Sequence, residues 1–307
     1  MKPRLVVIGS LNMDMVIQSP RIPMPGETIL GAGDLKMIPG GKGANQAYGA
    51  ARLGADVSMV GRVGDDSFGE RLIQNLNQAN VDTKHIIHDP DAATGIALIV
   101  VDESGQNSIV VSSGANGQLS PEDVNRGENA IRAANILLLQ LEVPLDAVLQ
   151  GAKLAKHHGV ATILNPAPAQ PLPGELLAMI DYLIPNESET AILSGHETNT
   201  DEEIKQAAAA LRVSGIKTTI MTMGSRGALL ITETEFCHFP AFPIDPVDTT
   251  AAGDAFVASF AVAMAEGKSI HEAIRFGNAA GALACTQFGA QPSLPDRRAL
   301  ERLMQTG

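Results

Sequence analysis

Short, wholly apolar runs alternate along the chain with amphipathic stretches of helical length. The runs at 5–8, 57–60, 136–139, 161–164, 182–184 and 218–221 read as strands, because a strand covered on both faces needs a continuous apolar pattern. Between them, 42–53, 67–79, 121–133, 144–157, 202–212 and 251–266 carry helical spacing and capping residues. This order predicts an α/β fold with a mainly parallel sheet between helices. Two segments break the rhythm. Residues 13–38, rich in Pro and Gly, and 94–111, alternating around Asp102-Glu103-Ser104-Gly105, read as extended strands and hairpins that pair into a small sheet beside the main body. The loop 165–174, with four prolines, leaves a strand and is too short to divide domains.

At 307 residues, one large domain with an appendage fits as well as two equal domains. Twenty-two basic residues stand against 34 acidic ones, for a net charge of −12, and the aromatics are eight Phe, two Tyr and no Trp. Such a chain offers neither an electropositive footprint nor a stacking platform, so nucleic acid is not expected as a partner. A phosphate ligand would instead be held by helix N-termini, a few basic side chains and a bound cation. Cys237 and Cys285 form no C-x-x-C pair, which argues against a disulfide framework or thiolate metal site and points to a reducing cytoplasm. No stretch approaches the roughly 18 uninterrupted apolar residues of a membrane span, and the apolar start at 5–8 is too short for a signal sequence.

The richest candidate for chemistry is Asp248-Thr249-Thr250-Ala251-Ala252-Gly253-Asp254, where two acids flank small residues at the start of an apolar helix. Small residues leave backbone N–H groups open to an anion, and a helix N-terminus adds about half a positive charge. Asp254 there is either a base beside an anion hole or an ordinary acid complementing the helix dipole. A second candidate, Gly40-Gly41-Lys42-Gly43-Ala44-Asn45, is a glycine-rich turn opening a helix. It lacks Walker A spacing, and by itself a tight strand-to-helix turn explains it as well as a ligand loop does. Polar residues also close several apolar runs: Asn12 and Asp14, Glu142, and Asn186 with Glu189. Ligands gather at the carboxyl ends of strands in open α/β sheets, although each residue taken singly, Asn186 above all, reads as a helix cap. No G-x-G-x-x-G follows the first strand, no H-E-x-x-H is present, and no G-x-S-x-G elbow supports a serine hydrolase.

These two motifs, at their separation, together with Gly114-Ala115-Asn116, Gln140-Leu141-Glu142, Asn165-Pro166-Ala167-Pro168-Ala169, Pro185-Asn186-Glu187 and Gly289-Ala290-Gln291-Pro292-Ser293, resemble the ribokinase-like carbohydrate kinases, or PfkB family. The resemblance spans nearly the whole chain. It implies a three-layer α/β/α ribokinase-like fold, with 1–12, 39–93 and 112–307 as the main domain and 13–38 with 94–111 as a β-sheet lid that also forms a homodimer contact. It implies transfer of the γ-phosphoryl of ATP to a sugar CH₂OH, which for ribose is the 5-hydroxyl. Fructose, 2-keto-3-deoxygluconate or a nucleoside are the alternative acceptors, and a non-catalytic sugar-binding protein is the alternative class. In the family pattern Asp254 is the base and the N–H groups of Ala251, Ala252 and Gly253 form the anion hole. Asn12, Asp14, Gly40, Gly41, Lys42, Asn45 and Glu142 match sugar-binding positions. Asn186, Glu189, Thr222, Gly224 and Gly227 match positions near the ATP phosphates and Mg²⁺, and Asn278 falls near the adenine. A K⁺ ion is implied beside the anion hole, held by Asp248 and carbonyls at Thr250, Ala284, Gln287 and Gly289, with Ser293 nearby. Gln287 stands where relatives often carry Arg and Ala251 where many carry Gly; neither change removes a backbone ligand.

Overall fold

The structure is a computed structural model that describes residues 2–103 and 106–306. Its strands, in chain order, are β1 (Arg4–Ile8), β2 (Asn12–Gln18), β3 (Ala32–Gly40), β4 (Asp56–Gly64), β5 (Val81–Asp89), β6 (Gly95–Val101), β7 (Asn107–Ser112), β8 (Ile136–Leu139), β9 (Ala161–Leu164), β10 (Tyr182–Leu183), β11 (Thr219–Thr222), β12 (Ala228–Ile231) and β13 (Phe236–Phe239). They form a nine-stranded sheet in the order β13-β12-β11-β10-β9-β8-β1-β4-β5 and a four-stranded sheet in the order β3-β2-β6-β7. The large sheet is parallel from β5 to β11, and β12 and β13 extend it antiparallel.

Both faces of the large sheet are covered, which is why its strands read as unbroken apolar runs. On β1, Leu5 and Val7 join the core shared with the helices Lys42–Arg52, Ala252–Ala265 and Ile270–Ala284. Val6 and Ile8 join the opposite core, shared with Leu145–His158. The helix Ala252–Ala265 is buried along nearly its whole length, so its apolar character carries little periodicity.

Several elements differ from the pattern-based expectation. The helix expected over 121–133 divides at Gly127 into Pro121–Arg126 and Glu128–Ala133, consistent with the poor helix propensity of glycine. The helix expected from 251 starts one residue later, because Ala251 sits in the left-handed region with φ 59°. Ile270–Ala284, β5 and the antiparallel pair β12 and β13 lie outside the expected elements, although Ser269 and Glu272 form a capping box at the start of Ile270–Ala284. The turn expected at 102–105 falls partly outside the described residues, at Ser104 and Gly105.

Candidate active site

β1 ends at Ile8, and after three intervening residues the chain enters β2, which carries Asn12 and Asp14 into the small sheet. β3 returns antiparallel, placing Gly40 opposite Asn12 and Ile38 opposite Asp14. Gly41 then turns the chain into the helix Lys42–Arg52 with φ 88°, a conformation that favours glycine. This turn packs backbone against backbone on residues 9–12: a Cβ on Gly43 would lie 2.6 Å from the Gly9 carbonyl carbon and from the Ser10 nitrogen. The close fit lets the Lys42 N–H donate to Glu142 Oε2 at 3.0 Å, while the Ser10 hydroxyl donates to the same oxygen at 2.5 Å. Behind the strand, buried Asn116 donates to Asn12 Oδ1 and to the Leu11 carbonyl, and accepts from the Leu11 N–H. Asn12 Oδ1 is thereby occupied, which leaves its amide N–H groups as the donors for a ligand.

The helix Lys42–Arg52 lies against Ala252–Ala265, and this packing joins the two glycine-rich motifs. Asn45 Nδ2 donates to Asp254 Oδ2 at 2.9 Å, and Gln46 Nε2 donates to Asp254 Oδ1 at 3.0 Å. Asn45 keeps a buried carbonyl oxygen with no donor among the described residues. Burial pushes the Asp254 carboxyl above its ordinary range, and Glu142 adds to this; Lys42 and the bonds from Asn45 and Gln46 oppose it. Asp14 is raised to about 7, by burial first and then by the charges of Glu142 and Asp254, with Lys42 opposing. Burial works against the Lys42 ammonium, yet Asp254, Glu142, Glu189 and Asp14 hold it above its ordinary value. The site therefore gathers four carboxylates around one lysine.

The anion hole expected at 251–253 is partly corrected. The Ala252 N–H donates to the Thr249 carbonyl at 3.2 Å, so it is not a free donor here. The N–H groups of Ala251 and Gly253 have no internal acceptor among the described residues.

On the other side of this helix start, Asn186 caps the helix Glu187–Ser194 in a capping box with Glu189, so the simpler role read for it is one it does fill. Glu189 is raised by burial, with Asp254 adding and Lys42 opposing, which places it in the same electrostatic field as the two motifs. Asn186 bridges to Thr222, and Asn278 donates to the Phe239 and Pro240 carbonyls, fixing the loop after β13. Thr222, Gly224, Gly227, Phe242, Gly253 and Asn278 are among the residues lining a cavity of about 480 Å³. A second cavity, of about 670 Å³, runs from Asp14 and Ile38 past Ile99 to Asp248 and Gly289. Both touch Pro246 and Thr249, so the start of the helix Ala252–Ala265 stands between them.

Asp248 ties this start to the 284–289 turn. Its Oδ1 accepts from the Thr250 N–H and hydroxyl, and its Oδ2 accepts from the Gly289 N–H. The Cys285 carbonyl accepts from the N–H groups of Val247 and Asp248, which draws Ala284 and Gln287 alongside. Ser293 is buried and donates its hydroxyl to the Ala290 carbonyl. The Asp248 carboxylate and the backbone carbonyls of this turn are hard oxygen ligands of the kind that replace the hydration shell of an alkali cation, although the Ala284 carbonyl already accepts from the Gln287 N–H at 3.4 Å.

Ser10, Gln46, Gln140, Asn116 and Asn165 were given no role by the sequence reading, although the structure places all five in the bonding around Asn12, Glu142 and Asp254. Polar residues beside strand ends were a visible signal; which of them face inward was not.

Among the described residues no helix is long and apolar enough to cross a membrane. The pfkB family carbohydrate kinase model matches residues 2–297. The chain is 44% identical over 298 residues to a ribokinase of Haemophilus influenzae, covering 97% of each chain. It is 38% identical to a deoxyribokinase of Salmonella typhi, covering 95% of each. The solved structure of Arabidopsis thaliana ribokinase complexed with ribose and ATP superposes with a TM-score of 0.93 at 40% identity, covering 99% of both chains.

Proposed function

The chain belongs to the pfkB family of carbohydrate kinases, and on that premise we propose that it transfers the γ-phosphoryl of MgATP to the 5-hydroxyl of D-ribose. The observation that carries this reading is the buried Asp254 carboxylate, held by Asn45 and Gln46 at a helix start that stands between two cavities. The sugar binds where the larger cavity ends at Asp14, the one of these residues that lines it, with Asn12 donating and Asp14, Glu142 and the unpaired Asn45 oxygen accepting beside it. The nucleotide occupies the cavity lined by Asn278 and Phe242. Asp254 takes the proton of the attacking hydroxyl, and the N–H groups of Ala251 and Gly253, with Lys42, receive the charge on the transferring group.

Mg²⁺ keeps several waters, so the Glu189 oxygen outside the capping box, with Asn186 beside it, fits as a water-mediated partner. K⁺ fits at Asp248 with the carbonyls of Thr250, Ala284, Gln287 and Gly289, where it would add fixed positive charge beside the anion hole. Residues 13–38 and 94–111 act as a lid. On the small sheet's outer face Leu35, Met37, Leu98 and Val110 stand exposed, and a homodimer through this face would cover them. Sedimentation equilibrium is expected to give a dimer at micromolar concentration; a monomer throughout would remove that part of the reading. Free Cys237 and Cys285 suit a reducing cytoplasm.

A second acceptor, deoxyribose, is favoured by the similarity to a deoxyribokinase. A coupled ADP-release screen across ribose, deoxyribose, fructose, 2-keto-3-deoxygluconate and nucleosides, with and without K⁺, tests both readings. Ribose with K⁺ is expected to be fastest. Ribose failing while another acceptor turns over would reject the substrate, and equal rates in K⁺, Na⁺ and monovalent-free buffer would reject the cation.

Sugar binding should also release a proton. Asp14 keeps its proton to about pH 7 in the sugar-free fold, against 3.8 for an ordinary aspartate. Its contribution to stability is therefore full below the unfolded value and is lost as pH rises through 7. Hydroxyl donors favour the ionised carboxylate, so ribose affinity is expected to be about tenfold weaker at pH 6 than at pH 8 and flat above that. Titration calorimetry in buffers of different ionisation enthalpy checks both parts; binding without proton release would refute the assignment.

A further inference from the structure

Gln46 is fully buried one residue beyond Asn45. Its side chain belongs to a line of amides whose orientation is forced from one end. The Ile184 carbonyl can only accept, so the Asn165 Nδ2 donates to it at 3.0 Å and Asn165 must present its oxygen to Gln46. Gln46 Nε2 donates to that oxygen at 3.2 Å and to Asp254 Oδ1 at 3.0 Å, using both of its hydrogens. Gln46 Oε1 in turn accepts from Gln140 Nε2 at 2.6 Å. Gln140 pairs in this way while its own oxygen finds no donor among the described residues. Leaving a buried acceptor unpaired is unfavourable, and flipping Gln140 to satisfy it would set oxygen against oxygen at Gln46.

We propose that Gln46, held in one orientation by Asn165 and Gln140, is a positioning residue that fixes the rotation of the Asp254 carboxylate and keeps it ionised inside the closed site. Asn45 binds the other Asp254 oxygen but, on the proposed reading, also meets the sugar, whereas Gln46 divides its two hydrogens between Asp254 and the Asn165 oxygen and has none left for a ligand. The inference rests on the reading of Asp254 as the base. It acts on the state of the carboxylate, which can be followed without turnover.

Gln46→Met keeps the length of the side chain and removes both donors. Lys42, Glu142, Asp14 and Glu189, the charged groups around Asp254, remain in place. Loss of a hydrogen bond to the ionised form raises a carboxyl, so the titration of Asp254 is expected to move up by about one to two pH units. The measurement is ¹³C NMR of aspartate-labelled protein, with the Asp254 signal assigned by its loss in Asp254→Asn. The acid limb of kcat should move up by the same amount, with kcat recovering at high pH and the sugar KM little changed. A role confined to packing would lower kcat equally at every pH. Gln140→Met removes only the outer anchor and should give a smaller shift in the same direction, and it serves as the test if Gln46→Met does not fold. An unmoved Asp254 titration in the folded variant overturns the inference. A moved titration with an unmoved kcat profile upholds the Gln46 contact and overturns Asp254 as the base.

Discussion

Asp254→Asn is expected to bind ribose with near-normal affinity while kcat falls by at least ~10²-fold, the lower end of what general-base assistance contributes. The change is nearly isosteric, yet it is not silent in the fold. Both Asp254 oxygens accept from amide N–H groups, one from Asn45 and one from Gln46. Asparagine has a single acceptor, so one of those donors loses its partner at a cost of about 1–3 kcal/mol. Thermal denaturation should register that loss, and calorimetry should still find ribose bound. Steady-state ADP release then isolates the chemical step. Turnover within a few-fold of the parent in a folded, ribose-binding variant would remove Asp254 from the role of base.

The pH dependence of the parent carries the same assignment. Burial holds Asp254 above the ordinary carboxylate range, so it protonates at a higher pH than a surface aspartate. A base must be ionised to work, and kcat should therefore fall as pH drops through that raised value.

The large sheet was legible because its strands are apolar on both faces: Leu5 with Val7 and Val6 with Ile8 enter opposite cores. The four strands of the small sheet lie within the segments that broke the helical rhythm or at their edges. What escaped the sequence was whatever tertiary context decides. Ile270–Ala284 buries a face of small residues, Ala273, Gly277, Ala280 and Ala284, which mark an apolar stripe only weakly, although the Ser269–Glu272 capping box was there to read. The edge strand β13 and its neighbour β12 pair antiparallel, outside the strand–helix alternation that marked the parallel strands. In the site, Asp254 and Gly40 to Asn45 were singled out, but their junction was not, since a contact spanning 209 positions has no local signature. Gln46 was invisible for the same reason, and Asn116, though it stands in the family-like stretch Gly114-Ala115-Asn116, gave no sign of its bond to Asn12. A polar side chain inside a helix or after a turn reads as solvated until its burial is known. Ala251 is the reverse case: a non-glycine residue in a left-handed conformation reads from sequence as the first residue of an ordinary helix.

Gly43→Ala is expected to lower turnover at least ~10²-fold through one methyl group that touches no ligand. An added Cβ would meet the Gly9 carbonyl carbon, the Ser10 nitrogen and the Gly9 Cα at 2.6–2.7 Å, well inside any contact that carbon tolerates. These are main-chain atoms, so no side chain can rotate away, and the helix Lys42–Arg52 must withdraw from the β1–β2 connection. Three interactions depend on that closeness. The Ala44 N–H donates to the Ser10 carbonyl at 2.9 Å, the Ser10 hydroxyl reaches Glu142, and Asn45 and Gln46 reach Asp254 from the same helix. Displacing the turn by even ~1 Å misplaces sugar and base together, and misplacement on that scale costs about 10²-fold by itself. Overpacking adds about 1–3 kcal/mol of destabilisation. The expected result is a folded protein with a lowered melting temperature, ribose affinity reduced beyond ready measurement, and turnover at least ~10²-fold down. Ala44→Gly, at the adjacent helix position, supplies the control, because it weakens the helix by about 1 kcal/mol without adding an atom to the junction. Gly43→Ala retaining ribose affinity and turnover at the level of Ala44→Gly would show that the turn can yield, and that the glycine there serves the path of the chain and not the site.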